Sequence, residues 1–205
     1  MFFISHVCSA LSDGRRLLRR LAQLYTGLML YGLSSALLLR GGLGLEPWGV
    51  LHQGLAEQSG LSVGTTSAAT GVLVLLFWIP IRQRPGLGTV SNVLIVGVAL
   101  DGALSLLPVV HEPAGRIALL LGGILLNGTA IGLYITAGFG PGPRDGLMTG
   151  LQKLTGQSTR RVRTAIEVLV VVSGFLLGGS AGIGTFFYAL SVGPLAQYFL
   201  HRFSS

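Results

Sequence analysis

A run of glycine and proline followed by two charged residues is the strongest candidate for chemistry in this sequence. Residues 138–148 read GFGPGPRDGLM, and so dense a run of Gly and Pro cannot continue a helix. Pro143 suits the first turn of a new helix, and Asp145 in that turn complements the helix dipole. Exposed amides at such a helix start bind anions, and Arg144 adds a charged donor. The predicted substrate-binding residues of this segment are Gly140, Gly142, Pro143, Arg144, Asp145 and Gly146.

A second Gly/Pro segment has the same spacing as the first. It reads GLEPWGVLHQGL at 44–55 and adds to the predicted site Pro47, Trp48 and Gly49. The helix predicted after each break is too short to cross a bilayer at about 1.5 Å per residue. A glycine-rich break that leads into a short helix is typical of re-entrant elements in transporters. The alternative is a pair of amphipathic helices in the membrane interface, with Trp48 as a headgroup anchor.

Ionisable residues inside apolar segments are rare and mark functional sites or structural pairs. Glu167 follows Arg163 by four residues on one helix face, so the two form either a structural ion pair or part of a functional site. Asp101 has no basic neighbour in sequence and must be protonated, paired across helices or solvated. We therefore predict that these three residues are coupling or structural charges. Asn92 and Asn127 favour hydrogen bonds between helices.

Two common signatures of enzymes are missing. There is no H-E-x-x-H and no phosphate-binding P-loop pattern, and His52 and His111 are isolated. The single cysteine, Cys8, can form neither an intramolecular disulfide nor a cysteine-based metal site. We expect no enzymatic activity, no cofactor and no bound metal.

The composition indicates a membrane protein. Half of the 205 residues are hydrophobic and only 10% are charged, whereas a soluble domain carries about a quarter. The 32 glycines suit transmembrane helices that pack through small residues. A net charge of +7 would suit nucleic acid, but the basic residues form short clusters between apolar runs, as membrane-flanking residues do.

Six apolar runs are long enough, or nearly so, to cross a hydrocarbon core that needs about 20 helical residues. They lie at 21–41, 63–81, 88–107, 116–137, 162–180 and 184–200. If the N-terminus is cytoplasmic, only Arg40 and Arg116 face outward, and twelve Lys and Arg face the cytoplasm. The positive-inside rule then predicts that both termini are cytoplasmic. The twelve are Arg15, Arg16, Arg19, Arg20, Arg82, Arg84, Arg144, Lys153, Arg160, Arg161, Arg163 and Arg202.

The sequence contains an internal repeat. A shift of 96 residues aligns Arg20–Gly97 with Arg116–Gly193 without a gap, and 25 of 78 positions are identical, nine of them glycines. Chance would give about a tenth. Each copy holds three predicted spans, an odd number, so the second copy enters the membrane from the opposite side.

These observations predict an all-α polytopic membrane protein. Its six transmembrane helices form two inverted three-helix repeats, each with a short re-entrant or interfacial helix after its first span. We expect one membrane domain, divided into a cytoplasmic tail at 1–20, a first repeat at 21–107 and a second at 116–200.

Four sequence runs resemble the YczE-like bacterial membrane proteins of the YczE/YitT group. They are GPGPRDGLMTGL at 140–151, TRRVRTAIE at 159–167, GFLLGGSAGIGT at 174–185 and PWGVLHQGL at 47–55. The resemblance covers nearly the whole chain beyond the N-terminal tail. It implies a multi-pass protein of the bacterial inner membrane and implies no substrate or mechanism.

The leading functional hypothesis is a small secondary permease or exporter of an unidentified small solute, with an anion among the candidates, bound where the inverted repeats meet. The alternative is a non-transporting scaffold or accessory protein for another membrane or biosynthetic system. A lipid-handling protein such as a scramblase is a third reading. The expected partners are the lipid bilayer and a small solute, without nucleic acid, and the sequence leaves a homo-oligomer open.

Overall fold

The computed structural model describes residues 2–204, with side chains from Arg16 onward, and every regular element in that part of the chain is an α-helix. The eight helices are α1 (Phe2–Gly41), α2 (Pro47–Ser59), α3 (Val63–Trp78), α4 (Leu87–Leu106), α5 (Pro113–Thr136), α6 (Pro143–Thr155), α7 (Thr159–Leu176) and α8 (Ile183–Ser204). Most side chains of the tail predicted at residues 1–20, including that of Cys8, lie outside the described ones, although the backbone of α1 begins at Phe2.

The helices follow the predicted pattern of long and short elements. Each of the six predicted spans coincides with one of the six longer helices, and the two short helices start at the predicted prolines, Pro47 and Pro143. Among the described residues, four helices (α1, α4, α5 and α8) are long and apolar enough to cross a membrane alone. The bent pair of α2 and α3, which meet at 112°, brings the number to five. An all-helical membrane protein is therefore confirmed, and six spans stay a prediction.

Helices α3 and α7 do not meet the length and hydropathy needed to cross a membrane alone, for different reasons. Helix α3 is apolar, but it has only 16 residues. Helix α7 has 18 residues and begins TRRVRTAIE, so its first half carries too much charge for an ordinary span. Both helices directly follow a short helix, so the weakest spans of the chain are the ones beside the two breaks.

The helix packing pairs equivalent elements of the two sequence repeats. Helix α1 packs along α5, its counterpart in the second repeat. Helix α4 packs against α1, and in the same way α8 packs against α5. Across the halves, α2 packs on α7 and α3 packs on α6. Small residues make these approaches close, since a Cβ at Gly32 would come within 2.8 Å of the α4 backbone and one at Gly27 within 2.8 Å of the α5 backbone.

Several contacts between the halves are reciprocal under the 96-residue shift. Arg20 donates to the carbonyl oxygens of Ala137 (2.9 Å) and Gly138 (3.2 Å), at the end of α5. Its counterpart Arg116 donates to the matched carbonyls of Gly41 (2.8 Å) and Gly42 (2.7 Å), at the end of α1.

The backbone repeats this reciprocity. The Gly88 amide donates to the carbonyl of Phe139 at 2.8 Å, and the matched Gly184 amide donates to the carbonyl of Leu43, also at 2.8 Å. Each half thus satisfies polar groups of the other at equivalent places.

The caps of the short helices are also matched. Gly60 (φ 71°) ends α2 and Gly156 (φ 67°) ends α6, both in the left-handed conformation that glycine adopts without strain. Two residues later, Ser62 and Ser158 cap α3 and α7 by accepting a hydrogen bond from a backbone amide. The repeated G-x-S signal therefore encodes the same sharp turn in both halves.

One packing relation differs between the halves. Helix α3 packs closely on α4, where a Cβ at Gly97 would lie 2.5 Å from the Gly64 carbonyl oxygen. The equivalent helices α7 and α8 instead flank a groove of about 670 Å³, and a Cβ at Gly193, the counterpart of Gly97, would meet nothing within 4 Å. The helix pair α3 and α4 in the first repeat is therefore closely packed, and the equivalent pair α7 and α8 in the second repeat is separated by a groove.

Candidate functional site

A cavity of about 70 Å³ lies where the two Gly/Pro breaks approach each other. Its wall includes residues from the two breaks and the starts of α2 and α6, and from α1, α4, α5, α7 and α8. The lining residues are Tyr31, Glu46, Pro47, Trp48, Asn92, Ile131, Tyr134, Gly142, Pro143, Arg144, Asp145, Met148, Arg163, Glu167 and Tyr188. The sequence predicted that both breaks contribute to one site, and the structure brings them together.

Hydrogen bonds and close packing hold the start of α6 in place. The carbonyl oxygen of Pro141 accepts from Thr89 (2.8 Å), and that of Pro143 accepts from the indole of Trp78 (3.0 Å). Gly140 has a φ of 107°, which a side chain would strain. At Gly146 a Cβ would lie 2.0 Å from the Trp78 ring, so only glycine fits. These two glycines therefore shape the backbone behind the cavity.

Arg144 crosses from the second half to the first. Its guanidinium lies 5.1 Å from the ring centroid of Trp48, which is the residue at the matched position of the other repeat. Its Nη2 atom is 3.3 Å from Nε2 of the buried His52 in α2. No salt bridge joins it to a carboxylate among the described side chains. Arg144 is therefore a partly buried cation held by a cation–π contact and one imidazole.

Asp145 and Tyr134 form a short hydrogen bond in which the phenol donates to the carboxylate. Asp145 is in the first turn of α6, where a carboxylate also complements the helix dipole. Tyr134 packs edge-on against Tyr31, with ring centroids 6.3 Å apart. Both aromatic rings line the cavity, so the carboxylate is presented beside an aromatic wall.

Glu46 is the site residue that sequence reasoning missed. It precedes α2, is only 4% exposed, and accepts a hydrogen bond from Ser35 (2.6 Å) on Oε1. Its other oxygen, Oε2, is buried without a partner. The carboxyl carbon lies 2.8 Å from where a Cβ of Gly49 would be, so Gly49 makes room for it.

The repeat itself contained the signal for Glu46. Positions 46 and 49 hold Glu and Gly, and the matched positions 142 and 145 hold Gly and Asp. A Cβ at Gly142 would lie 3.2 Å from an Asp145 carboxylate oxygen, just as the Glu46 carboxyl lies over Gly49. Each short helix therefore carries one carboxylate over its first turn, supplied from exchanged positions.

Trp48 is 7% exposed, and its indole Nε1 is buried without a hydrogen-bond partner. It packs with Val74, Trp78 and Val170 in an apolar cluster between the halves. A headgroup anchor would keep its ring at the membrane surface. The interior position instead makes Trp48 a wall of the cavity, next to Pro47.

Arg163 and Glu167 form an ion pair, with Nε and Oε1 2.7 Å apart. Both residues line the central cavity, and both also line the groove between α7 and α8. The pair therefore lies where the cavity meets the groove. Its charges partly neutralise each other there, at the edge of the site.

Asp101 lies away from the cavity. Its carboxylate accepts from the Ser62 hydroxyl (2.5 Å) and from the Gly64 amide (2.8 Å), at the first turn of α3. Of the two predicted polar span residues, Asn127 bonds to Ser34 and Tyr188 at 2.7 Å each, as expected of an interhelical link, while Asn92 lines the cavity.

The described residues offer no group of three His, Cys, Asp or Glu side chains that could hold a metal ion. The run GGSAG at 178–182 has the spacing of a serine nucleophile motif, but it joins α7 to α8 and lacks the strand-to-helix turn that exposes such a serine. The cavity offers carboxylates, guanidinium groups and phenols around a small space. This arrangement suits reversible binding of a small polar molecule.

The fold and the site define an α-helical membrane protein with a central polar cavity. The chain belongs to the family of unknown function DUF6198, whose model matches residues 18–201. It is similar to an uncharacterized protein of Haemophilus influenzae, with 38% identity over 174 residues, which cover 85% of this chain and 80% of the relative. It is also similar to the uncharacterized membrane protein YczE of Bacillus subtilis, with 32% identity over 178 residues, which cover 86% and 83%. No solved structure gives a significant match. The resemblance to YczE-like proteins is confirmed.

Proposed function

We propose that the protein is a small secondary permease or exporter that binds a small solute in the central cavity. The observation that carries the proposal is the unequal packing of equivalent helices: α3 is closed on α4, while α7 leaves a groove beside α8. The groove shares Pro47, Arg163 and Glu167 with the cavity, so the site is approached from the open side. If the halves exchange these two arrangements, access to the site alternates.

The repeat architecture supports this exchange. We propose six spans in two inverted repeats, with α2 and α6 as re-entrant helices whose starts meet inside the bundle. The reciprocal bonds of Arg20 and Arg116 support it, because a contact between position i and a partner in the other half recurs with the roles exchanged. The buried positions of Trp48 and Pro143 favour re-entrant over interfacial helices.

The proposed location is the bacterial inner membrane with both termini in the cytoplasm. The support is the charge distribution, with twelve basic residues on one side and two on the other. The alternative function remains a non-enzymatic scaffold or accessory protein. A scaffold needs no polar cavity between its halves, whereas the start of α2 holds a buried carboxylate oxygen without a partner.

Cysteine labelling in vesicles tests the proposal without a known substrate. In a Cys8→Ser background, Met148→Cys places one thiol in the cavity wall. A membrane-impermeant maleimide should modify it in both right-side-out and inside-out vesicles, because a permease opens the site to each side in turn. Gln58→Cys and Lys153→Cys, at the exposed ends of α2 and α6, serve as topology controls. We expect Gln58→Cys to react only from outside and Lys153→Cys only from inside.

A disulfide between α3 and α4 provides the decisive variant. A Cβ at Gly71 would lie 3.6 Å from the Cβ of Val93, within the range of a disulfide. Oxidised Gly71→Cys/Val93→Cys should lose labelling of position 148 from one side and regain it on reduction. Labelling of position 148 from one side only, in the absence of the disulfide, would contradict alternating access and favour the scaffold.

A further inference from the structure

We propose that the cavity binds a small solute that carries a protonated amine and, a few atoms away, a hydrogen-bond acceptor, as in an amino alcohol or a small amino acid. This inference rests on the proposed function for its biological meaning, although binding itself requires only the cavity. Two buried polar atoms without partners carry the proposal, one on Glu46, just before α2, and one on Trp48, in its first turn.

The first atom is the Oε2 of Glu46. The described side chains contain only three buried polar atoms without a hydrogen-bond partner, and two of them belong to cavity residues, Glu46 and Trp48. Ser35 satisfies Oε1 alone, and no cation of the described part forms a salt bridge with the carboxylate. A buried carboxylate oxygen costs much free energy unless a donor reaches it. A protonated amine supplies both the donor and the opposite charge.

The second atom is the Nε1–H of Trp48, which can only donate. Trp48 is nine-tenths buried, so no bulk water serves it. A ligand that reaches this atom must therefore offer an acceptor as well as an amine. Since Glu46 and Trp48 lie two residues apart at the start of one helix, the two ligand groups must be close together.

The charge of the cavity disfavours an anion. Its lining has three carboxylates (Glu46, Asp145 and Glu167) and two guanidinium groups (Arg144 and Arg163), so its formal charge is negative. The anionic solute considered from the sequence would bind the helix starts, but each of those starts already carries its own carboxylate. Arg144 faces a tryptophan and a histidine and remains available to the acceptor end of the solute.

The cavity volume limits the ligand size. A water needs roughly 10–15 Å³ of such space, so the cavity of about 70 Å³ holds roughly five to seven water-sized groups. A solute with about four to six non-hydrogen atoms fits. Ethanolamine and glycine are in this range, and both present an amine two carbons from an oxygen.

Equilibrium binding to the purified full-length protein tests the inference. The probes are ethanolamine, ethylene glycol (the same shape without charge), ethylamine (without the acceptor) and acetate (an anion). Ethanolamine should raise the melting temperature by mass action. Its Kd should be about two- to tenfold lower than that of ethylamine, the value of one neutral hydrogen bond. Acetate and ethylene glycol should leave the melting temperature unchanged.

Two substitutions assign the contacts. Glu46→Gln should weaken ethanolamine binding by about tenfold to a hundredfold, whereas Glu57→Gln, at an exposed carboxylate on the same helix, should not change it. Trp48→Phe removes the Nε1–H donor but keeps Arg144, so it should reduce the preference for ethanolamine over ethylamine, and it tests the site even if Glu46→Gln does not fold. Stabilisation by acetate but not by ethanolamine, or by none of the probes, overturns the inference.

The binding assay tests the amine site and the vesicle assay tests the permease, so either proposal can be contradicted without the other. Ethanolamine binding with one-sided labelling of position 148 would retain the amine site and remove the permease. Two-sided labelling without ethanolamine binding would retain the permease and remove the amine site.

Discussion

The two Gly/Pro breaks have the same backbone and different side chains. Gly44 and Gly140 both have positive φ (123° and 107°), and both breaks lead to a proline that starts a 13-residue helix. At the next position one break has Trp48 and the other Arg144, and these two side chains contact each other. Two residues matched by the 96-residue shift therefore lie side by side where the two breaks meet. The chain therefore keeps its symmetry in the backbone and departs from it at the centre, where a ligand would bind.

The carboxylates of the two breaks also combine similar positions with different surroundings. Glu46 and Asp145 occupy similar places over their helix starts, although they come from different sequence positions and have different partners, Ser35 and Tyr134. The carboxylate of Glu46 has one oxygen without a hydrogen-bond partner. The two helix starts therefore carry the same charge, but the start of α2 has an unused hydrogen-bond acceptor.

The largest expected effect compares the closed and open helix pairs. Gly97→Ala places a methyl group 2.5 Å from the Gly64 backbone oxygen, and we expect a loss of about 3 kcal/mol in stability. Its counterpart Gly193→Ala meets nothing within 4 Å apart from its chain neighbours, but it precedes Pro194 inside α8, where a Cβ disfavours helical geometry, so we expect a loss of no more than about 1 kcal/mol. Thermal unfolding of the two purified variants measures the difference. Equal losses would show that the asymmetry of packing is absent in the membrane-extracted protein.

The next effect compares the two helix starts. Gly49→Ala forces the Glu46 carboxyl to move, because a Cβ there would be 2.8 Å from its carbon, and we expect a loss of about 2 kcal/mol and weaker ethanolamine binding. Gly142→Ala has its nearest contact at 3.2 Å, from an Asp145 oxygen, and should cost less than about 1 kcal/mol. Unfolding and ligand titrations of both variants check this order. The reverse order would mean that the carboxylates are not placed as described.

A smaller effect is expected at Asp101. Asp101→Asn keeps one acceptor for the Ser62 hydroxyl or the Gly64 amide, so we expect a loss of about 1–2 kcal/mol in stability. Because Asp101 lies away from the cavity, binding of ethanolamine should stay unchanged, in contrast to Asp145→Asn. If Asp101→Asn instead abolished a pH dependence of transport, Asp101 would be a coupling residue, as the sequence first suggested.

The smallest expected effect concerns the contact between Arg144 and Trp48. Arg144→Lys keeps the positive charge but loses the guanidinium's contact with the Trp48 ring, and we expect a loss of about 0.5–1 kcal/mol in stability. Lys153→Arg, on the exposed side of the same helix, is the control and should be neutral. A loss above about 3 kcal/mol would show that the contact with His52, rather than the cation–π contact with Trp48, holds the guanidinium.

Local signals in the sequence predicted most of the fold. Pro47 and Pro143 marked the starts of the two short helices, and the apolar runs marked the long helices. The shift of 96 residues also predicted that the two breaks are equivalent, because Gly, Pro and Ser recur where the backbone needs them. These features depend on neighbours in sequence, so they can be read without coordinates.

The contacts that depend on packing across the chain could not be read in this way. Asp101 was expected to have no local partner, and its bonds to Ser62 and Gly64 connect residues 39 and 37 positions apart. Glu46 was overlooked because its burial depends on Gly49 and Ser35, and the exchange of Glu and Gly with Gly and Asp becomes meaningful only once the halves face each other. The open groove beside α7 leaves no trace in a sequence whose repeats match so closely.

The reciprocal arginine bonds have a consequence for biosynthesis. When the ribosome has completed α1, the carbonyl groups of Gly41 and Gly42 still lack Arg116, which is synthesised some 75 residues later. The donor groups of Arg20 likewise lack their acceptors until Ala137 and Gly138 have been synthesised. In a half-made chain these groups lie at the ends of the predicted spans and bond only to water or headgroups, so the bonds that join the two halves are still missing. Neither half is a finished folding unit, and truncated nascent chains should be recognised by membrane quality control until the second half has been inserted.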